Sequence, residues 1–418
     1  MVDVYLLSVI AFFAILAILI YRDRKNVEVK NRILVIKRTK KFRDLLDNIA
    51  RISPRFWKIF STIGILIAIS VMVVGFLSIG KTSYDVASGL YEQPPYQFVI
   101  PTPTATGSIG PGYISIPFWF WIITIAIILI PHEFLHGVIA RTEKIKLKSV
   151  GLLVFLAQPF ALLFVLAYSL STRSFNFSWI LAAIFLILPG AFVEPDENQL
   201  KKSKLLTRLR VFAAGSFANI LIAIFAVLIM MFLIWPSSVS PGIYIVQVNE
   251  TGPAGLAGLK PNVTLLEING EKIDTRLCNP LGSLIGETCR GVFYVKQFEN
   301  LEPNQIVTLK SNESSYTLRL SYNENTRSPY MGIGYAPVTR QNSGFQLDVL
   351  MPLFSMIALF SFAVGMINIL PIYPLDGGLM FEAVMKKVSK KNYKKIVKAI
   401  TIIIILMIFY GFVGPYLR

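Results

Sequence analysis

Long stretches of this chain carry almost no polar position, and the places where polarity returns divide it into segments. Val4 to Tyr21 is a nearly unbroken apolar run, closed by Arg22, Arg24 and Lys25. Ile59 to Ile79, Ile116 to Ala140, Gly151 to Ser169, Phe177 to Val193, Val211 to Trp235, Val349 to Leu370 and Ala399 to Phe412 repeat the pattern. A bilayer's hydrocarbon core is crossed by about 20 residues of helix. The expected fold class is therefore a polytopic α-helical membrane protein with about eight transmembrane helices. Gly151 to Val193 is expected to run out and back around Ser171-Thr172-Arg173-Ser174, with a re-entrant loop as the alternative for the part nearest Val150.

The pattern changes between Pro236 and about Phe345, where short alternating segments predict strands at Ile243 to Val248, Val263 to Ile268, Gly291 to Val295, Ile306 to Leu309 and Tyr316 to Leu320. At roughly a hundred residues this region can fold around its own core. Thr251 to Pro261, followed by Leu265 to Ile273 with its Asn269-Gly270 pair, resembles the core of a PDZ domain. The expected organisation is a transmembrane hairpin with a basic connector over 1–80, a membrane core in two parts over 116–235 and 346–418, and an inserted small β-rich, PDZ-like domain over 236–345.

Charge fixes the orientation expected for these spans. Lys and Arg number 41 against 24 Asp and Glu, a net charge of +17, while 54% of residues are hydrophobic. The cations gather at Lys37 to Lys41, Arg141 to Lys148, Lys201 to Arg210 and Lys386 to Lys395, connectors that alternate threading puts on one side. That is the positive-inside pattern of a multi-pass cell-membrane protein, with the lipid bilayer as partner and no nucleic acid. Both termini and the 236–345 region then lie outside the cytoplasm. The positive charge follows the first run rather than preceding it, which is the wrong order for a cleavable signal peptide. Cys278 and Cys289 are too few and too close for a zinc ribbon. If their region is outside, they are candidates for a disulfide, the alternative being two unpaired thiols.

The only two histidines in the chain, His132 and His136, stand four apart at the end of an apolar span. On a helix that spacing stacks them on one face, one turn apart, so both rings can reach one ion. Glu133 follows the first, where a general base for metal-activated water is wanted. Ionisable groups inside a span are expensive and mark function by default. A catalytic zinc usually takes three protein ligands, and Asp376, at the cytoplasmic end of another inward span, is the candidate third. Asn368 is a candidate donor to a scissile carbonyl or its oxyanion, or an interhelical hydrogen bond. Pro371 and Pro374 interrupt the helix and would leave an extended stretch against which a substrate chain could lie.

These residues resemble the site-2 protease family of intramembrane zinc metalloproteases. His132, Glu133 and His136 match its metal motif. Asn368, Pro371, Pro374, Asp376 and Gly377 match its Asn-x-x-Pro-x-x-Pro-x-Asp-Gly element. Ala214, Gly215 and Asn219 match a third element in which Ser216 replaces a proline. The resemblance implies one catalytic Zn2+, catalytic Glu133 and Asn368, ligands His132, His136 and Asp376, and substrate contacts at Pro371, Pro374 and Asn219. It implies cleavage within or near transmembrane segments of membrane-anchored proteins, often after a preceding site-1-type protease has cut. The active site would lie near the cytoplasmic side. Val4 to Ile79 and Gly151 to Val193 fall outside the shared core. The competing classes are a membrane metal transporter and an inactive homologue acting as a scaffold.

Overall fold

The computed structural model describes residues 4–24, 27–30, 34–96, 98–102, 108–110, 113–156, 187–277, 293–298, 301–323, 328–340 and 343–417. They form two compact units, Met1–Ile222 with Phe360–Arg418, and Ala223–Leu359. Among the described residues six helices are long and apolar enough to cross a membrane. They are α1 (Val4–Arg22), α3 (Pro54–Ala87), α4 (Phe118–Thr142), α6 (Leu205–Ser238), α8 (Gln346–Ile369) and α10 (Tyr393–Leu417). Shorter helices complete the set: α2 (Lys40–Ile52), α5 (Glu197–Lys202), α7 (Pro253–Leu256) and α9 (Asp376–Val388).

The two remaining spans of the sequence reading are corrected where they are described. The ends of the 151–193 region are strands, β6 (Leu147–Leu156) and β7 (Ile187–Pro195), paired antiparallel from Leu147 opposite Pro195 to Leu156 opposite Ile187. Residues 157–186 lie outside the described residues. A short apolar run reads the same whether it is a buried strand or part of a span, and here hydrogen-bonding partners decided the matter. β6 and β7 pair with each other, and β6 pairs on its other edge with β2 (Leu34–Arg38) of the basic connector, which also contains β1 (Val27–Lys30). The sheet order is β1-β2-β6-β7, so β7 has a free edge among the described residues. Between α3 and α4, β3 (Phe98–Thr102), β4 (Ser108–Gly110) and β5 (Tyr113–Pro117) form a second small sheet in the order β3-β5-β4.

Packing in the first unit converges on α4. Leu46 of α2 is completely buried and lies where a Cβ on Gly137 would otherwise project. Truncating such a leucine costs about 2–5 kcal/mol. On the same side Asp47 pairs with Arg141, and Trp57 donates its indole N–H to the Ile49 carbonyl at 2.9 Å. Glu143, at the end of α4, accepts from Arg210 Nη1 at 2.7 Å and Thr207 Oγ1 at 2.8 Å, while Arg210 Nε donates to Thr62 Oγ1 at 3.0 Å. This network ties α6 to α4 and α3 beside the histidines. Removing one partner of so enclosed an ion pair costs about 3–5 kcal/mol.

The second unit is β-rich. Its main sheet runs β14 (Ser315–Arg319), β13 (Ile306–Ser311), β9 (Thr264–Ile268), β8 (Val239–Val248), β17 (Ile333–Thr339). The alternation read from sequence is visible in β13, whose residues alternate exposed and buried along its length. Ile243, Ile245, Leu265 and Leu309 are completely buried in the core. Asn269 and Gly270, with φ of 52° and 80°, turn β9 back into β10 (Glu271–Lys272). Two short pairs, β11 (Thr275–Leu277) with β12 (Phe293–Val295) and β15 (Ser321–Asn323) with β16 (Ser328–Tyr330), complete the unit. Cys278 and Cys289 lie outside the described residues.

Candidate metal centre

α4 presents His132 and His136 on one face, with their Nε2 atoms 3.3 Å apart. α6 crosses that face at Gly215, where any Cβ would run into both Nε2 atoms. Only a residue without a side chain permits the approach. The third group arrives from the break after α8, where six residues fold back and α9 begins at Asp376. Gly377 is required there, because a Cβ would overlap the Ile369 carbonyl. Asp376 Oδ2 comes to rest 3.3 Å from His136 Nε2 and 3.5 Å from His132 Nε2. One ligand atom from each of the three residues lies within 4.8 Å of the others.

The hydrogen bonds behind the rings orient them for a ligand role. His136 Nδ1 lies 2.7 Å from the Val211 carbonyl, which can only accept, so Nδ1 carries the hydrogen and the Nε2 lone pair faces the cluster. His132 Nδ1 lies 3.0 Å from Nδ2 of Asn219, a completely buried residue whose Oδ1 has no partner among the described residues. A histidine bound through Nε2 holds its proton on Nδ1, and Asn219 accepts it on Oδ1 once its amide is turned over. Ser216 donates its hydroxyl to Asp376 Oδ2 at 3.0 Å. Two imidazole lone pairs and a carboxylate aimed at one point, with an amide oxygen left unpaired behind them, suit a divalent transition metal. Two nitrogens and one oxygen are a ligand set of the catalytic zinc type.

Glu133, His136 and Asp376 open together onto a cavity of about 650 Å³. Val193, Glu194 and Pro195 of β7 form part of its wall, and the Val193 N–H donates to Glu133 Oε2 at 3.0 Å. At the rim Lys201 donates to Glu197 at 2.6 Å, which holds that carboxyl below its ordinary range. Arg208 also lines the cavity, with its buried Nε unpartnered among the described residues.

Residues 120–411 match the family model of peptidase family M50, the site-2 protease family. The chain belongs to that family. It is also similar to an uncharacterized protein of Methanocaldococcus jannaschii, 25% identical over 383 residues, covering 90% of this chain and 84% of the relative. M50 membership makes the chain a metallopeptidase by family, and with six apolar helices it is a multi-pass membrane protein.

Within this M50 chain some residues singled out in the sequence lie away from the cavity. Asn219 does not face substrate space, because it is enclosed behind His132. Asn368 is half-buried in the last turn of α8, and its side chain bonds to no described residue and does not line the cavity. Pro371 is buried, Pro374 is exposed, and neither lines the cavity, whereas Tyr373 between them does. Nor is Pro371 to Leu375 extended. Ile372 N–H returns to the Leu370 carbonyl at 2.7 Å and Leu375 N–H to the Ile372 carbonyl at 2.8 Å, so turns consume the groups a strand would offer. The sequence reading missed Ser216, the Val211 carbonyl, the Val193 N–H and Arg208. Only Ser216 left a signal there, as the departure from the expected proline.

Proposed function

We propose that this M50 chain is a zinc metalloendopeptidase that cleaves membrane-anchored proteins within or near their transmembrane segments. The observation that carries the reading is the convergence of His132, His136 and Asp376 beside Glu133, with Glu133, His136 and Asp376 opening onto one cavity and the histidines on a helix apolar enough to span a membrane. His132, His136 and Asp376 would hold the ion. When bound, zinc supplies Lewis acidity that makes water nucleophilic near neutral pH and polarises a carbonyl.

Glu133 moves the proton. Its Oε2 is fixed by the Val193 N–H, which leaves Oε1 to take a proton from the attacking water and deliver it to the departing nitrogen. A peptide bond in a helix is shielded by its own hydrogen bonds, so the substrate has to unwind. The free edge of β7 suits the unwound segment. Val193 turns its N–H away from β6 toward Glu133, and Ala191, two residues along, turns its backbone groups to the same edge. A strand added there would run past Glu133.

The lysine clusters support a site near the cytoplasmic side, with the β-rich unit outside, where it could bind a C-terminus freshly exposed by an earlier protease or exclude uncut substrates. The reading is tested by incubating the purified protein with zinc and a single-span substrate, alongside Glu133→Gln. Cleavage lost in the variant while zinc is retained supports it. Cleavage by Glu133→Gln at the unaltered rate overturns it, and zinc flux into liposomes without proteolysis would make the protein a carrier instead.

A further inference from the structure

A second cavity lies wholly within the β-rich unit, where α6 ends, and has a volume of about 710 Å³. Its floor is the last part of the span. Met231 and Phe232 are 37% and 68% exposed there, an apolar surface continuous with the helix below. One turn on, Trp235 donates its indole N–H to the Thr275 carbonyl at 3.0 Å, fastening the helix end to β11. Its ring is buried inside the unit, and the end of the apolar span itself sets the level at which the helix leaves the hydrocarbon.

The upper wall is cationic. Lys272, Arg276 and Arg340 line it, with Asp274 as the one acidic group among the described residues that line it. Asp274 is occupied by Arg276, whose Nη2 lies 2.9 Å from its Oδ2. Arg340 donates from Nε to the Val239 carbonyl at 2.8 Å, and its two Nη groups have no partner among the described residues. The Lys272 ammonium has no side-chain partner among the described residues. Among the described residues the cavity therefore carries an excess of positive charge beside exposed hydrocarbon-like side chains.

We propose that this cavity is a binding site for the phosphodiester headgroup of an anionic membrane phospholipid. Lys272 and Arg340 hold the phosphate, and the acyl chain descends along Met231 and Phe232. A soluble anion would satisfy the cations but would leave Phe232 uncovered. A neutral lipid would cover Phe232 but would leave the charge unmatched. An anionic phospholipid does both, and each basic group near such a surface contributes roughly five-fold in affinity. The proposal is independent of the catalytic reading.

The test uses the full-length protein in mixed vesicles of phosphatidylglycerol and phosphatidylcholine, with lipid retained after detergent extraction counted by native mass spectrometry. The expected result is preferential retention of phosphatidylglycerol, reduced roughly five-fold in Lys272→Gln and in Arg340→Gln. Lys260→Gln, an exposed cation of the same unit outside the cavity, controls for general charge, and Arg340→Lys controls for folding by keeping the charge. Equal retention of the two lipids overturns the proposal, as does an equal loss in Lys260→Gln. Full displacement by excess inorganic phosphate would assign the site to a soluble anion and overturn it too.

Discussion

Ser216 and Asp376, 160 residues apart in the chain, meet at Oδ2, the same carboxylate oxygen that lies 3.3 Å from His136 Nε2. A hydroxyl donating to the ligating oxygen fixes the carboxylate's rotation and so the direction of its lone pair. Ser216→Ala removes that donor without adding bulk. Zinc affinity is expected to fall about 10-fold, within the range for residues that support metal ligands. Competition with a zinc-sensitive dye measures it, and Ser216→Thr should recover most of the loss.

Asn219→Leu keeps the side-chain volume at a completely buried position and removes the group facing His132 Nδ1. The imidazole then loses its orientation, and metal affinity is expected to drop about 10- to 100-fold. A role in substrate contact would instead raise KM with zinc content unchanged. Measuring both separates the alternatives.

Gly215→Ala tests how closely α6 approaches the rings. Its Cβ would occupy the space of both Nε2 atoms, so the variant should fold and yet retain no stoichiometric zinc. Gly365→Ala, whose Cβ would stand 3.2 Å from Asn219 Cβ, asks for a shift of only a few tenths of an ångström and should keep the metal.

Val193→Pro removes the N–H that holds Glu133 Oε2. That N–H is on the free edge of β7, so no ladder bond to β6 is lost, and proline is tolerated at such a position. A hydrogen bond to a charged group contributes about 1.5–3 kcal/mol, which corresponds to a fall in kcat of roughly 10- to 100-fold. Zinc content should be unaltered. Reduced zinc in this variant would contradict the role given to Val193.

Metal removal should also weaken the fold, because the ligands join α4 to the start of α9. Zinc at a thousand times its Kd stabilises by about 4 kcal/mol. Chelation is therefore expected to lower the unfolding temperature of the protein and to leave that of Asp376→Ala unmoved. Thermal denaturation followed by intrinsic fluorescence reads both.

The residues brought together at the candidate site were legible because their chemistry is local or distinctive. His132, Glu133 and His136 share one helical turn, and Asp376 follows a proline-broken helix that parity puts at the same depth. Much of the supporting structure was not legible. The bonds from Val193 to Glu133 and from Ser216 to Asp376 join single atoms across 60 and 160 residues, and no periodicity encodes them. The described ends of Gly151 to Ser169 and Phe177 to Val193, residues 151–156 and 187–193, are strands where spans were expected, for another reason. Their apolar composition suits part of a span, while β2, which pairs with β6, lies more than a hundred residues upstream in a segment read only for its charge, and β7 is held by β6.

Leu46 fills the space beside Gly137, and Asp47 grips Arg141 on the same helix. Both belong to α2, well ahead of residue 120, where the family match begins. Any attempt to trim this enzyme to a minimal core at that boundary would strip the brace from the histidine helix and leave an open furrow next to His136. A working miniature would have to carry α2 along or graft in a substitute sidewall.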